Sequence, residues 1–180
     1  MHYLNNIDIL IMQMVLLAGF VLAEIQASAR PIAFKGIVYV LHDEIMHALL
    51  YVIILLPFAS MPGYFLIGLV SSVIIDIDHL FMARSWSIKK IVSFPARPVT
   101  HSLIFAILIG VITGLILGDY LKGVFVFAGL AAHLLRDLID GKTFILLPFS
   151  RIHSIGLKGF TAVCVILIIG LYILISNITV

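Results

Sequence analysis

Charge is what this chain has least of. Asp, Glu, Lys and Arg make up 11% of its 180 residues, against about 25% in ordinary soluble domains. Hydrophobic residues take up 63%, and mean hydropathy is +1.24. That balance excludes a soluble globular domain and is that of an integral membrane protein. Cysteine is nearly absent. Cys164 stands alone inside a late apolar run, so no disulfide framework forms within one chain, and Cys164 reads as a small packing residue. A net charge of only +2 with histidine neutral gives no sign of a nucleic-acid partner. The first apolar run, Ile7 to Val21, has no basic leader, and no small-residue cleavage site follows it cleanly. It reads as a retained helix rather than a signal peptide.

What is present is a series of apolar stretches. A membrane-crossing helix needs about 20 mainly apolar residues, and six stretches approach that length. They run from Ile7 to Ala27 (carrying Glu24), Glu44 to Ala59, Gly63 to Phe81, Thr100 to Leu117, Leu121 to Leu138 and Leu157 to Ile175. The expected fold class is therefore an all-α integral membrane protein, a bundle of about six transmembrane helices. It is read as a single membrane-embedded domain over residues 1–180. The segment from Arg84 to Phe94 is too short and charged to span. Its Trp86, Ile88, Ile91 and Phe94 alternate with basic residues, as in a short interfacial amphipathic helix, or it is an ordinary cytoplasmic loop.

Lys and Arg orient the bundle. With six spans, Arg30, Lys35, Arg84, Lys89, Lys90, Arg97, Arg136, Lys142, Arg151 and Lys158 fall on one side, and Lys122 on the other. The positive-inside rule places the ten-residue side in the cytoplasm and both termini outside.

On that topology the scarce polar residues gather. His42, Asp43, Glu44 and His47 open the second span. Asp76, Asp78 and His79 close the third, Thr100, His101 and Ser102 open the fourth, and His133, Arg136, Asp137 and Asp140 close the fifth. Four helix ends thus bring imidazole and carboxylate to one face of the membrane, where such groups are costly unless they have a function. His133 and Asp137, and Asp43 and His47, are four apart and share a helix face; Asp76 and His79 are three apart. Asp78 points elsewhere if the helix is continuous. Each piece has a plainer reading: Asp43 and Glu44 as an acidic first turn, Thr100 as an N-cap after Pro98, Asp137 paired with Arg136. Taken together, His47, Asp76, Asp78, His79, His101, His133 and Asp137 are expected to hold metal, with Thr100 and Ser102 orienting His101 by hydrogen bonds. Whether His42 or His47 is the early ligand stays open. Carboxylate and imidazole without thiolate suit a divalent ion, zinc before manganese or iron, one or two in number.

These motifs resemble the YdjM-like family, described as LexA-binding, inner-membrane-associated, metal-dependent hydrolases. The family pattern is an early His opening a span, then Pro-Asp-x-Asp-His, Arg-Gly-x-Thr-His-Ser and His-x-x-x-Asp. Here these stand as His47-Ala48-Leu49-Leu50, Ile75-Asp76-Ile77-Asp78-His79, Arg97-Pro98-Val99-Thr100-His101-Ser102 and His133-Leu134-Leu135-Arg136-Asp137, followed by Pro148. Order and separations match over a motif-bearing core of about residues 41–151. Ile75 replaces the usual Pro, and Pro98 the usual Gly. The resemblance implies a hydrolase of the inner membrane; LexA binding is not carried over, because nothing in the sequence supports it. Asp78, His101 and Arg97 are the expected catalytic residues. Arg97, Lys142 and Arg151 would hold an anionic group, and the expected substrate is a phosphoester or lipid-like molecule drawn from the membrane. Two other classes remain: an ion or small-solute transporter, which would place ionisable residues mid-membrane and on both faces, and a non-enzymatic metal-binding scaffold. A serine hydrolase built on Ser102 is weaker, since neighbours on a helix do not face each other.

Overall fold

The computed structural model describes residues 6–29, 37–84, 99–139, 143–144 and 152–178. Its elements are α1 (Asn6–Ala29), α2 (Ile37–Leu55) running into a 3-10 turn (Leu56–Phe58), α3 (Pro62–Ile74), α4 (Ile77–Ala83), α5 (Leu103–Ile116), α6 (Tyr120–Asp137), a two-residue ladder of β1 (Thr143–Phe144) and β2 (Ile152–His153), and α7 (Gly156–Ile178). The ladder is antiparallel, with Thr143 opposite His153. The chain is a helical membrane protein. Among the described residues, three helices are long and apolar enough to cross a membrane: Asn6–Ala29, Val38–Phe58 and Gly156–Asn177. The amphipathic segment expected after Arg84 falls outside the described residues.

Two boundaries differ from the sequence expectation, and both matter. The second helix starts at Ile37, not Glu44. His47 therefore sits about 15 Å along the helix at 1.5 Å per residue, halfway down rather than at its mouth. Asp43 and Glu44 are likewise interior residues and not a first turn. The third span is not continuous. It ends at Ile74 and restarts at Ile77, with a turn at Ile75 and Asp76. Val73, Ile74 and Ile75 are β-branched, and Asp76 and Asp78 are weak helix formers, so this is where the helix yields. Ile75 has φ −61°, the angle a proline would impose, so the turn keeps its form without the family's proline.

Helix α6 is the hub, packing on α5, α3 and α2, while α1 packs on α7 and α2. The close approaches are made by glycine, as is usual where membrane helices touch. A Cβ on Gly129 would collide with the backbone carbonyl of Gly68 on α3, and one on Gly123 with that of Gly110 on α5. One apolar core joins α1, α2 and α7 through Leu17, Phe20, Leu50, Ile53, Phe160, Cys164 and Ile168; Cys164 is fully buried there. A second joins Ile75, Ala106, Val126, Leu130 and Leu134. Pro57 has no N–H to offer the end of α2, and buried Gln13 donates instead to the Ile53 carbonyl at 2.7 Å and the Ile54 carbonyl at 3.1 Å.

Each end of the hub is fastened. At its start Asp119 caps α6, accepting from the Leu121 and Lys122 amides, and takes the Tyr64 hydroxyl of α3 at 3.1 Å. Slight burial works against the Asp119 charge. The Tyr64 hydroxyl, the two amides and the Lys122 ammonium at 3.7 Å outweigh it, so the carboxyl lies below its ordinary value. At the other end the Ile155 amide and the Ser154 hydroxyl bond to the Leu138 and Ile139 carbonyls, tying the start of α7 to the end of α6.

Candidate metal centre

The break between α3 and α4 builds the first half of the site. Where α3 stops, its last carbonyls lose their helical partners, and the Ser72 carbonyl accepts from Nδ1 of His133 at 2.9 Å. That bond fixes the tautomer and leaves Nε2 of His133 facing inward, the usual way a metal-binding histidine is held. Asp76, in the turn itself, sends Oδ1 into the same space. It lies 3.1 Å from Nε2 of His101, 3.5 Å from Nε2 of His133 and 3.7 Å from Nε2 of His79.

The other half comes from α2 and α6. Asp137, one turn after His133, puts Oδ2 3.6 Å from Nε2 of His133 and 3.7 Å from Nε2 of His101, and Oδ1 3.4 Å from Nε2 of His47. The His47 ring stacks on His133 at 3.7 Å between centroids. His47, His101 and His133 are fully buried. Three groups bring ligating atoms within 4.8 Å of one another: His47, His133 and Asp137; Asp76, His101 and His133; and Asp43, His47 and Asp76.

Residues 16–179 match the family model described as YdjM inner membrane protein. The chain belongs to the YdjM inner membrane protein family. No curated protein and no solved structure matches it. Membership places the chain in a membrane, in agreement with its apolar helices.

Five of the seven expected metal residues meet at the centre: His47, Asp76, His101, His133 and Asp137. His47 rather than His42 is the α2 histidine in the described metal-competent groups. The other two stand behind them. Asp78 is turned toward the cluster because α4 is a new helix, not a continuation of α3; the condition under which it would point elsewhere, a continuous helix, is not met. It faces the far side of His101, with Oδ2 3.5 Å from Nδ1, and it accepts from the Thr100 hydroxyl. His79 bridges Asp76 and Asp78, with Nδ1 3.3 Å from Asp78 Oδ1, and its ring stacks on His101 at 4.9 Å.

Thr100 does approach His101, at 3.4 Å from Nδ1. Ser102 does not serve that role. It donates to the Val99 carbonyl at 2.8 Å and caps α5 by accepting from the Phe105 amide. That makes Ser102, not Thr100, the N-cap, and turns its hydroxyl away from use as a nucleophile. Arg97, Lys142, Arg151 and Asp140 lie outside the described residues.

The sequence reading missed a buried ion network beside the centre. Arg136, only 5% exposed, donates from Nε to Glu24 of α1 at 3.1 Å and from Nη1 to Asp43 of α2. The signal was available: Glu24 is the one acid inside the interior of the first apolar run, and a lone charge there requires a partner. Glu44, read from the sequence as part of an acidic first turn, instead has its Oε2 buried without a hydrogen-bond partner.

The residues fit a divalent cation on chemical grounds. Both ring nitrogens of His47, Nε2 of His133, Oδ1 of Asp78 and Oε2 of Glu44 are buried without a hydrogen-bond partner. Leaving such groups unmatched costs about 1–3 kcal/mol each, more for charged ones. Imidazole nitrogens and carboxylate oxygens converging without thiolate are the donors that zinc, manganese and iron share.

Proposed function

We propose that this protein is a membrane-embedded, metal-dependent hydrolase, its metal held by His47, Asp76, His101, His133 and Asp137. The observation that carries the reading is the convergence of buried histidine nitrogens and carboxylates from α2, the α3–α4 turn, the start of α5 and the end of α6. When bound, a divalent ion supplies Lewis acidity and a water activated at neutral pH. The protein's own work is orientation. The Ser72 carbonyl fixes His133, and Asp78 with Thr100 fixes His101 by holding the Nδ1 side, so that Nε2 faces inward. Asp78 is thus assigned to positioning, behind the ligand shell first drawn for it.

The substrate class follows from place and charge. Helices α3 and α5 have 13 and 14 residues, about 20 Å at 1.5 Å per residue, so the site sits recessed beside the longer α2. By the positive-inside rule it opens to the cytoplasm. A phosphoester on an amphiphile reaches such a recess from the bilayer, with Arg97, Lys142 and Arg151 as the candidates to bind its anionic group. A cation-binding vestibule shares one feature, the depth of His47 along α2.

The test is turnover by purified, zinc- or manganese-loaded protein on a panel of lipid phosphomonoesters and phosphodiesters, read as released phosphate or headgroup. Metal-dependent release, lost in His101→Ala, is expected. A protein that binds metal and turns over none of the panel would contradict the phosphoester reading and favour a scaffold; one that binds no metal would favour the vestibule.

A further inference from the structure

The centre has two ligand sets, one on each side of Asp76. Oδ1 of Asp76 serves His101 and His133, as described above. Oδ2 turns the other way, 4.0 Å from Nδ1 of His47. His47 repeats the division, since its Nε2 faces Asp137 while its Nδ1 faces Asp76. In this it differs from His133, whose Nδ1 is committed to the Ser72 carbonyl. Fully buried His47 has no hydrogen bond at either nitrogen. Asp43 stands one turn earlier on the same helix face, and Asp43, His47 and Asp76 bring ligating atoms within 4.8 Å of each other. Arg136 grips only Oδ1 of Asp43, orienting a carboxylate whose second oxygen is not part of that bond. Glu44 borders the same space, with Oε2 buried and unmatched.

Charge points the same way. Among the described residues, Asp43, Asp76, Asp78 and Asp137 border the centre, and the one buried guanidinium, Arg136, is engaged by Glu24 and Asp43. With the histidines neutral as ligands, one dication offsets only part of the charge of these described groups, and a second brings them close to neutrality. Buried charges persist only when compensated.

We propose that the centre is binuclear. A second divalent ion is bound by Asp43, His47 and Asp76, with Glu44 at its edge, and shares the Asp76 carboxylate with the ion held by Asp76, His101 and His133. This rests on the metal-centre reading and sharpens it. Paired ions suit displacement at phosphorus, where one stabilises the attacking oxygen and the other the leaving oxygen.

The experiment uses the full chain in detergent, stripped by chelator and reloaded with manganese. Bound metal is counted by elemental analysis, and spin coupling is read by electron paramagnetic resonance. The expected result is two equivalents and an exchange-coupled spectrum. Asp43→Asn should drop to one equivalent and give the six-line spectrum of an isolated ion. If Asp43→Asn does not fold because Arg136 loses its partner, His47→Gln is read by the same two signals. One equivalent in the wild type, with an isolated-ion spectrum, overturns the second ion and leaves the single-ion centre standing. No bound metal in the wild type overturns both.

Discussion

At the scale of single residues, the proposed metal site separates side chains that face its centre from those that hold them. His133 and His101 face inward; the Ser72 carbonyl, Asp78 and Thr100 hold them. Outer partners of this kind are worth about 10–100-fold in metal affinity. Asp78→Asn and Thr100→Val should therefore weaken metal binding by about that factor without abolishing it, as measured by competition with a chromogenic chelator. Unchanged affinity in both would remove the positioning role. Arg136 is a different case. Replacing it with Met leaves Glu24 and Asp43 buried and uncompensated, which costs about 3–5 kcal/mol; thermal unfolding in detergent should show a large fall, and a fall below about 1 kcal/mol would mean water reaches the pair. At this scale the sequence was most informative. Chemistry and helix spacing selected seven residues, with His42 left open against His47, and five of the seven, His47, Asp76, His101, His133 and Asp137, converge. Glu24, Asp43 and Arg136 were harder to place because their pairing depends on α1 and α2 lying beside α6, and contact between distant segments leaves no local pattern.

At the scale of elements, the break after Ile74 and the glycines of α6 set the geometry. The break was not legible, because an apolar run ending in Ile-Asp-Ile-Asp-His reads equally as a span with a polar end. Only the tertiary bonds of Asp76 and Ser72 distinguish the two. The start of α2 was misplaced for a related reason: the polar His42-Asp43-Glu44 triplet looks like an entrance, yet Asp43 lies inside the helix, paired with Arg136. Gly129→Leu should force α3 away from α6. Overpacking of this sort costs about 1–3 kcal/mol, and here it should also lower metal content, since His133 is one turn from Gly129 and Asp76 follows α3. Normal metal content with lowered stability would show that the glycine contact and the site are independent.

The Asp119 cap gives a pH prediction. Its carboxyl is held below the ordinary value in the folded protein, so its contribution is present above the unfolded-state pKa and is lost as pH falls through the lower folded-state value. Asp119→Asn should reduce the fall in stability over that acidic range. Identical acid profiles for the two proteins would show that the cap is not coupled to folding.

At the scale of the whole molecule, the helical membrane class was plain from composition, and the family from three ordered motifs that the match over residues 16–179 bears out. Function is set by where the molecule puts its few charges. Ten of the eleven basic residues fall on the side proposed to face the cytoplasm. A cysteine introduced at Lys89 should accordingly resist a membrane-impermeant maleimide in intact cells and react after lysis. Labelling in intact cells would reverse the orientation and the cytoplasmic opening with it.

The most direct measurement is the metal content of the purified full-length protein, prepared without chelator, beside the His101→Ala/His133→Ala double variant. A metal centre built by four chain segments predicts at least one equivalent of a transition metal in the wild type. It also predicts near-complete loss in the variant, with both proteins still helical and in the membrane fraction. Equal metal content in the two, or none in the wild type, would contradict it.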